Sequence, residues 1–214
     1  MASWDLQKGK VIILIPHKDE RDYRQWRDWW KEQLQKPEGT QSLESRGASL
    51  VTSRIQLAET GLKSGAEYLF WLDDDLIGPN DGLVNLLNVS SSVDRPIVCG
   101  LYVARKSKEE RGLAAWMKNP NGIGYVPIGA DQKSRFVQVD VTGLGFALIH
   151  RSIFEKLSQP WFDWPACGPS EDFWFFEKVW NELKIKSIID MECKCQHIGT
   201  FTSATDGSFS VLGA

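Results

Sequence analysis

Two kinds of hydrophobic pattern alternate along the chain. Continuous apolar runs at residues 11–15, 68–72 and 96–103 are typical of strands buried in a parallel sheet. Apolar positions at helical spacing predict amphipathic helices over residues 21–35, 48–63 and 170–183. Shorter strands are predicted at 136–141, 146–149 and 187–197. Strands that alternate with helices predict a three-layer α/β/α, Rossmann-like domain with a mostly parallel, mixed central sheet.

Three polar stretches interrupt this pattern. Residues 40–47 are polar and predict a loop, and residues 106–131 are charged and then rich in Gly and Pro, which predicts an excursion or a mobile loop. Residues 1–200 are expected to form a single domain. Residues 201–214 are small and polar, and we expect a flexible tail that could lead to a further domain.

Composition and charge argue against two classes of binding partner, nucleic acids and membranes. The 214 residues carry a net charge of −3, which argues against a general nucleic-acid binder. No apolar run approaches the length of a membrane span, and the start of the chain lacks the apolar core of a signal peptide. The four cysteines are too few for a disulfide scaffold. We therefore expect a cytoplasmic protein with reduced thiols and no membrane partner.

An acidic run follows one of the buried strands directly. Asp73, Asp74 and Asp75 come after residues 68–72, and ligands of such sheets bind at the carboxyl ends of the strands. Adjacent carboxylates repel one another, and a divalent cation such as Mg²⁺ or Mn²⁺ would relieve the repulsion. The alternative interpretation is an acidic turn that caps the next helix.

A second acidic pair, Glu171 and Asp172, begins a predicted helix. The helix dipole favours ionised carboxylates there, so one interpretation is that the pair simply stabilises the helix end. Alternatively, one of the two is a general base that accepts a proton from an attacking hydroxyl. Asp172 borders the apolar stripe of this helix and Glu171 is expected to point outward.

Three other features are less specific by themselves. His197 ends the last predicted strand and is either a structural side chain or an imidazole ligand that would favour manganese over calcium. Arg54 is either solvated or pairs with a phosphate or an acidic group. The turn Gly143, Leu144 and Gly145 would let the backbone approach a ligand closely.

In chain order, these features resemble the GT-A nucleotide-sugar glycosyltransferases, in particular the small family 2-like inverting enzymes. The resemblance runs from about residue 10 to residue 200. It implies that Asp75 and His197, with Asp73, bind Mn²⁺ or Mg²⁺, and that Asp172 or Glu171 is the catalytic base. It also implies nucleotide-sugar-binding roles for Pro16, His17, Arg54, Asp73, Asp74, Gly143, Leu144 and Gly145.

The resemblance also implies a reaction. It is the metal-dependent transfer of a hexose or deoxyhexose, of the glucose or rhamnose class, from a UDP-sugar to a hydroxyl of a glycan or glycoprotein, with inversion. The chain is also similar to glycosyltransferase domains with which chlorella viruses glycosylate their capsid protein. That likeness implies a viral enzyme of the host cytoplasm with a capsid protein as acceptor.

Other functions fit part of the sequence. A sugar-phosphate nucleotidyltransferase would carry a glycine-rich loop after its first strand, and residues 16–20 contain no glycine. A phosphatase with an Asp-x-Asp nucleophile usually has Thr or Val where this chain has Ile77. A non-catalytic carbohydrate-binding module would explain the ten tryptophans but not the pair Glu171 and Asp172.

Overall fold

The computed structural model describes residues 10–17, 23–91, 94–104, 112–165, 170–199, 201–203, 205 and 209–211. Its helices are α1 (Arg24–Asp28), which continues into a π-helical turn (Trp29–Gln33), α2 (Leu50–Lys63), α3 (Gly82–Val89), α4 (Ser152–Lys156) and α5 (Glu171–Leu183). Its strands are β1 (Val11–Pro16), β2 (Gln41–Ser45), β3 (Tyr68–Leu72), β4 (Leu76–Ile77), β5 (Ile97–Leu101), β6 (Ala115–Lys118), β7 (Tyr125–Pro127), β8 (Phe136–Val139), β9 (Val141–Thr142), β10 (Phe146–His150), β11 (Ser187–Lys194), β12 (Gln196–His197), β13 (Phe201–Ser203) and β14 (Phe209–Val211).

Seven strands form the central sheet in the order β2-β1-β3-β10-β5-β11-β8. β1, β2 and β3 are mutually parallel, as are β5 and β11, whereas β10 and β8 run antiparallel to their neighbours. The predicted α/β class with a mostly parallel, mixed sheet is therefore confirmed.

Each face of the sheet has its own hydrophobic core, because successive strand side chains alternate between the faces. Ile12 and Leu14 pack with α2, α4 and α5 on one face. Val11, Ile13 and Ile15 pack with α1, the π-helical turn and α3 on the other. This two-sided burial is the physical reason that β1 is apolar throughout.

The tryptophans belong mainly to these cores. Trp26, Trp29, Trp30 and Trp71 are buried. In the aromatic loop after α4, Trp161 is buried as well and Trp164 is exposed. A high tryptophan content is thus explained largely by core packing, and by itself does not indicate carbohydrate binding.

The loop expected at residues 40–47 is instead an edge strand. β2 pairs in parallel with β1 from Gln41, opposite Ile12, to Ser45, opposite Pro16. Its side chains are largely exposed, so the strand has no apolar alternation that sequence reasoning could detect. Backbone hydrogen bonding to β1, not side-chain burial, accounts for this strand.

The excursion expected at residues 106–131 is also structured in its described part, residues 112–131. β6 pairs with β7 and with β9 in a small antiparallel sheet. Residues 106–111 lie outside the described residues. The expected tail contains two strands, β13 and β14, which pair with each other and extend a small sheet formed with β12 and β4.

Two further expectations concern thiols and membranes. Cys99, Cys193 and Cys195 are free thiols, and Cys167 lies outside the described residues. Among the helices that the structure describes, none has the length and apolar character needed to cross a bilayer.

Candidate active site

The acidic run follows β3 at the carboxyl end of the central sheet, and its three carboxylates point to three different partners. Asp73 Oδ1 accepts a hydrogen bond from Arg54 Nη2 at 3.1 Å. Asp74 Oδ2 lies 2.8 Å from Nδ1 of His17, and Asp75 Oδ1 lies 3.4 Å from Nε2 of His197. Each of the three adjacent carboxylates therefore contacts a different side chain, which directs the three away from one another.

Arg54 is the central cation of the site. It projects from α2, is 1% exposed, and donates from Nε to Oε1 of Glu171 at 3.0 Å. Its Nη2 also lies 3.6 Å from Asp172 Oδ1. Burial alone would lower the pKa of Arg54, but the charges of Asp73, Asp172 and Glu171 outweigh it and raise that pKa. One guanidinium therefore joins α2, the end of β3 and the start of α5.

Of the two acids of α5, Glu171 lies in a different position from the one that we expected. Glu171 is 2% exposed and lies one and two turns before Phe175 and Val179, which are both buried. The side chain of Asp172 is 19% exposed. The predicted outward Glu171 is therefore wrong, because the buried face of α5 includes Phe175 and Val179, whereas Trp180 is only half-buried.

Asp172 combines partial exposure with an unusual environment. The backbone N–H of Leu144 donates to its carboxylate, whereas Asp172 Oδ1 has no hydrogen-bond partner among the described residues. Burial raises the pKa of Asp172 well above its ordinary value, and the charges of Glu171 and Asp73 raise it further against the opposing effect of Arg54. Such a perturbed carboxylate in a cleft is a candidate acid or base.

Asp73 is perturbed in the same sense. Burial and the neighbouring charges of Asp75, Glu171 and Asp74 raise its pKa to about 6, although Arg54 acts in the opposite direction. The excess of carboxylates is therefore only partly compensated by Arg54.

The turn Gly143–Leu144–Gly145 organises this site through its backbone. Gly145 accepts a hydrogen bond from the Asp73 N–H at 2.9 Å through its carbonyl oxygen, and its own N–H donates to the Tyr102 hydroxyl at 3.2 Å. A Cβ atom on Gly145 would lie 2.8 Å from Asp73 Oδ2, closer than real Cβ contacts. The backbone of this turn does make the close approach that we expected, and the groups that it approaches are neighbouring side chains of the site.

His17 lies beneath the acidic run. It is 2% exposed, and its Nε2 lies 3.1 Å from Oε2 of Glu44, opposite the contact of Nδ1 with Asp74. Pro16, the last residue of β1, is buried beside it. Both ring nitrogens of His17 thus contact carboxylates, and Asp74 is 8% exposed. This geometry favours a supporting position for His17 and Asp74.

Sequence reasoning missed two residues of this region, Glu44 and Tyr102. Glu44 lies in β2, which has no apolar pattern, and therefore fell within a predicted loop. Tyr102 follows β5, and nothing in the local sequence separates it from an ordinary core tyrosine. To predict that Glu44 lies next to His17, one would have to know that β2 pairs in parallel with β1, and no sequence signal indicates that pairing.

The contact of His197 with a backbone carbonyl indicates which of its ring nitrogens carries the hydrogen. Its Nδ1 lies 2.9 Å from the carbonyl oxygen of Val103, which can only accept, so Nδ1 carries the hydrogen. In the neutral ring, Nε2 then presents a lone pair toward Asp75 Oδ1 at 3.4 Å. Two acceptors that face each other at this distance fit a bound cation, and a carbonyl behind the imidazole is the usual support of such a ligand.

Asp75 and His197 do not by themselves form a complete metal site. The described part of the chain contains no group of three or more His, Cys, Asp or Glu side chains arranged to hold a metal ion. Asp75 and His197 thus fit a divalent cation whose remaining ligands would come from a substrate or water.

Comparisons with known proteins place this arrangement in a fold class. No protein-family model matches the chain, and no curated protein matches it. Among solved structures, the protein A197 from STIV is similar over 96% of this chain and 95% of its own, at 18% identity and a TM-score of 0.65. The chain has a GT-A-like fold. GalNAc-T7, solved with UDP, GalNAc and Mn²⁺, is similar over 92% of this chain, at 13% identity and a TM-score of 0.58. The match spans 45% of GalNAc-T7. At these identities the likeness establishes the fold alone.

Proposed function

We propose that this protein is a metal-dependent glycosyltransferase that moves a sugar from a UDP-sugar to an acceptor hydroxyl. The observation that carries the proposal is the cluster of Asp73, Glu171 and Asp172 around the buried Arg54, at the carboxyl end of a GT-A-like sheet. The presence of UDP, GalNAc and Mn²⁺ in the similar structure of GalNAc-T7 supports it.

Asp75 and His197 would hold the divalent cation, Mn²⁺ or Mg²⁺, with Asp73 beside them. A cation bound there supplies positive charge for the diphosphate that leaves with the nucleotide. The lone pair of Nε2 and the carboxylate of Asp75 provide the nitrogen and oxygen ligands that manganese accepts. His17 and Asp74 would act by supporting the end of β1 and the acidic run from below.

The donor would lie over the end of β1 and the glycine turn. Pro16 ends β1 next to the acidic run, and the turn Gly143–Leu144–Gly145 lies against Asp73. Arg54 holds the carboxylates apart and in place.

Asp172 is the catalytic base in this proposal, and Glu171 is a positioning residue. The side chain of Asp172 is 19% exposed, so an attacking hydroxyl could reach its carboxylate and give it a proton. Glu171 is buried and held by Arg54 Nε. Attack from the side of Asp172, opposite the leaving nucleotide, would invert the anomeric carbon.

The finer assignments follow from the sequence resemblance. We propose a sugar of the glucose or rhamnose class and an acceptor that is a glycan or glycoprotein, with a viral capsid protein as the specific candidate. The corresponding location is the host cytoplasm. These assignments depend on the identity of donor and acceptor, which a screen of UDP-sugars and acceptors would determine.

The first test is calorimetric titration of the purified protein with UDP, with and without Mn²⁺. We expect binding that requires the metal, and we expect Asp75→Asn to weaken it by about tenfold or more, which corresponds to about 1.4 kcal/mol. The control is Glu67→Gln, a carboxylate at the opposite end of β3 that pairs with Lys10. The absence of UDP binding would overturn the proposal and favour a carbohydrate-binding module, which has no need for a nucleotide.

The second test separates the roles of the two acids of α5. With the donor that the screen identifies, Asp172→Asn should keep UDP affinity and lower kcat by about 100-fold to 10,000-fold, the usual contribution of a general base. If Glu171→Gln has that pattern instead and Asp172→Asn does not, the base is Glu171. A nucleotidyltransferase would instead release pyrophosphate from UTP and a sugar phosphate, and the same panel detects that product.

A further inference from the structure

Tyr102 occupies a position in this site that the sequence did not reveal. It follows β5, is 6% exposed, and packs its ring edge-on against the ring of His197, with centroids 5.7 Å apart. It is therefore in contact with a residue of the proposed metal pair. Its hydroxyl, however, points to a different part of the site.

The Tyr102 hydroxyl fills a notch in the glycine turn. It accepts the N–H of Gly145 at 3.2 Å. A Cβ atom on Gly143 would collide with the hydroxyl, and the same Cβ position lies 3.5 Å from Oδ2 of Asp172. The phenol oxygen and the Asp172 carboxylate therefore border one notch, which exists because residue 143 has no side chain.

The hydrogen of this phenol needs an acceptor. A phenol is protonated at neutral pH, so Tyr102 carries a hydrogen that it can donate. Its oxygen already accepts from Gly145, and the hydrogen is the group that remains to be placed. The charged acceptor that borders the notch is Asp172.

We propose that Tyr102 is a positioning residue for Asp172, whose carboxylate receives the Tyr102 hydrogen across the notch at Gly143. The Leu144 N–H then holds the same carboxylate from the backbone of the turn. Together the two donors would fix the orientation of the Asp172 carboxylate, whose Oδ1 lies 3.6 Å from Arg54 Nη2. The catalytic consequence rests on the proposed function, whereas the contact between the two side chains does not.

The contact is tested by a double-mutant cycle on unfolding. Tyr102→Phe and Asp172→Ala, alone and combined, are unfolded in urea and their midpoints compared. The control pairs Asp172→Ala with Tyr68→Phe, because Tyr68 is also 6% exposed and packs edge-on against a histidine, His150, at 5.1 Å. We expect non-additive shifts for the Tyr102 pair and additive shifts for the Tyr68 pair. Additive shifts in both cycles would overturn the contact.

The positioning role is tested by separating turnover from affinity. UDP release from UDP-glucose, or from the donor identified by the screen, is measured together with UDP affinity in Mn²⁺. We expect Tyr102→Phe to lower kcat by about tenfold or more and to leave UDP affinity within about twofold, because only orientation of the base is lost. Tyr68→Phe should change neither quantity.

The possible failures can be told apart. If wild-type protein does not bind UDP, the proposed function fails, and the unfolding cycle still decides whether Tyr102 contacts Asp172. If Tyr102→Phe lowers UDP affinity as much as kcat, Tyr102 acts on the metal pair through His197 and the positioning role is overturned. An unchanged kcat also overturns it.

If Tyr102→Phe does not fold, Gly143→Ala tests the same contact with the phenol retained. The added methyl group displaces the hydroxyl from the notch. The variant should reproduce the low kcat expected for Tyr102→Phe. Wild-type kcat in Gly143→Ala would overturn the proposal.

Discussion

The two ends of the central sheet each place a buried tyrosine edge-on against a histidine, but they differ in how charge is balanced. At the amino end of β3, Tyr68 packs against His150, and Lys10 Nζ lies 3.2 Å from Oε2 of Glu67. Desolvation lowers the pKa of His150, which favours its neutral form. At this end, charged side chains are paired locally with groups of the opposite charge.

The carboxyl end is not balanced in this way. Five carboxylates gather there (Asp73, Asp74, Asp75, Glu171 and Asp172) around Arg54 and the imidazoles of His17 and His197. The carboxylates at this end therefore outnumber the single buried guanidinium of Arg54. The excess of carboxylates is therefore at the end of the sheet where we propose that a cation and the substrates bind.

Removal of the central cation should produce the largest difference between the two ends. Arg54→Met leaves buried carboxylates without their partner and should cost about 3 to 5 kcal/mol of unfolding free energy. Arg151→Met, at the amino end, removes a surface pair with Glu155 and should cost about 0 to 1 kcal/mol. Urea unfolding measures both, and similar losses would contradict the central role of Arg54.

The next largest effect is expected when a methyl group is added to a glycine of the site and, for comparison, to a glycine outside it. Gly145→Ala places a Cβ against Leu76 and Asp73 and should cost about 1 to 3 kcal/mol through overpacking. Gly61→Ala in α2 meets Ile12, Leu14 and Leu69 no closer than 3.4 Å and should be neutral or stabilising, because alanine favours the helix. Thermal unfolding compares the two, and a tolerated Gly145→Ala would show that the turn is not tightly packed.

Neutralised acids at the two ends of α5 should shift stability in opposite directions. The native pKa of Asp172 is raised, so its contribution falls as pH rises above the unfolded value, and Asp172→Asn should stabilise the protein at pH 7. Hydrogen bonds from Lys178 and Ser158 lower the pKa of Glu182 to about 2. Its stabilisation is present above the unfolded pKa and is lost as pH falls toward 2, so Glu182→Gln should destabilise the protein at pH 7.

Urea midpoints between pH 4 and pH 8 measure both effects. Asp172→Asn should also flatten the decrease in stability of the wild type as pH rises through this range. Shifts of the same sign in the two variants would contradict the pKa assignments.

The smallest effect is expected at the amino end. Lys10→Gln removes the pair with Glu67, whose side chains are 30% and 37% exposed, and should cost no more than about 1 kcal/mol. The loss should disappear in concentrated salt, since exposed charges are screened. A loss that persists in salt would show that the amino end also depends on buried charge.

Sequence reasoning was successful where burial imposes a pattern. β1 and β3 are buried on both faces and were therefore visible as continuous apolar runs, and the acidic run could be placed at the carboxyl end of β3. The α/β class followed from the alternation of strands and helices. β2 and β6 were not predicted, because they are largely exposed or short and owe their existence to backbone pairing with strands distant in sequence.

The amino-acid sequence is enough to identify the chemical groups of the site and most of the elements that carry them. The partners of these groups depend on the packed fold: Arg54 meets Glu171 across 117 positions of the chain, and His17 meets Asp74 across 57. The packed fold also turned Glu171 inward, and it brought the Tyr102 hydroxyl to the Gly143 notch. The physical reason is that propensity and periodicity act within a few residues, whereas ion pairs, notches and tautomers depend on atoms that only the packed sheet and helices bring together.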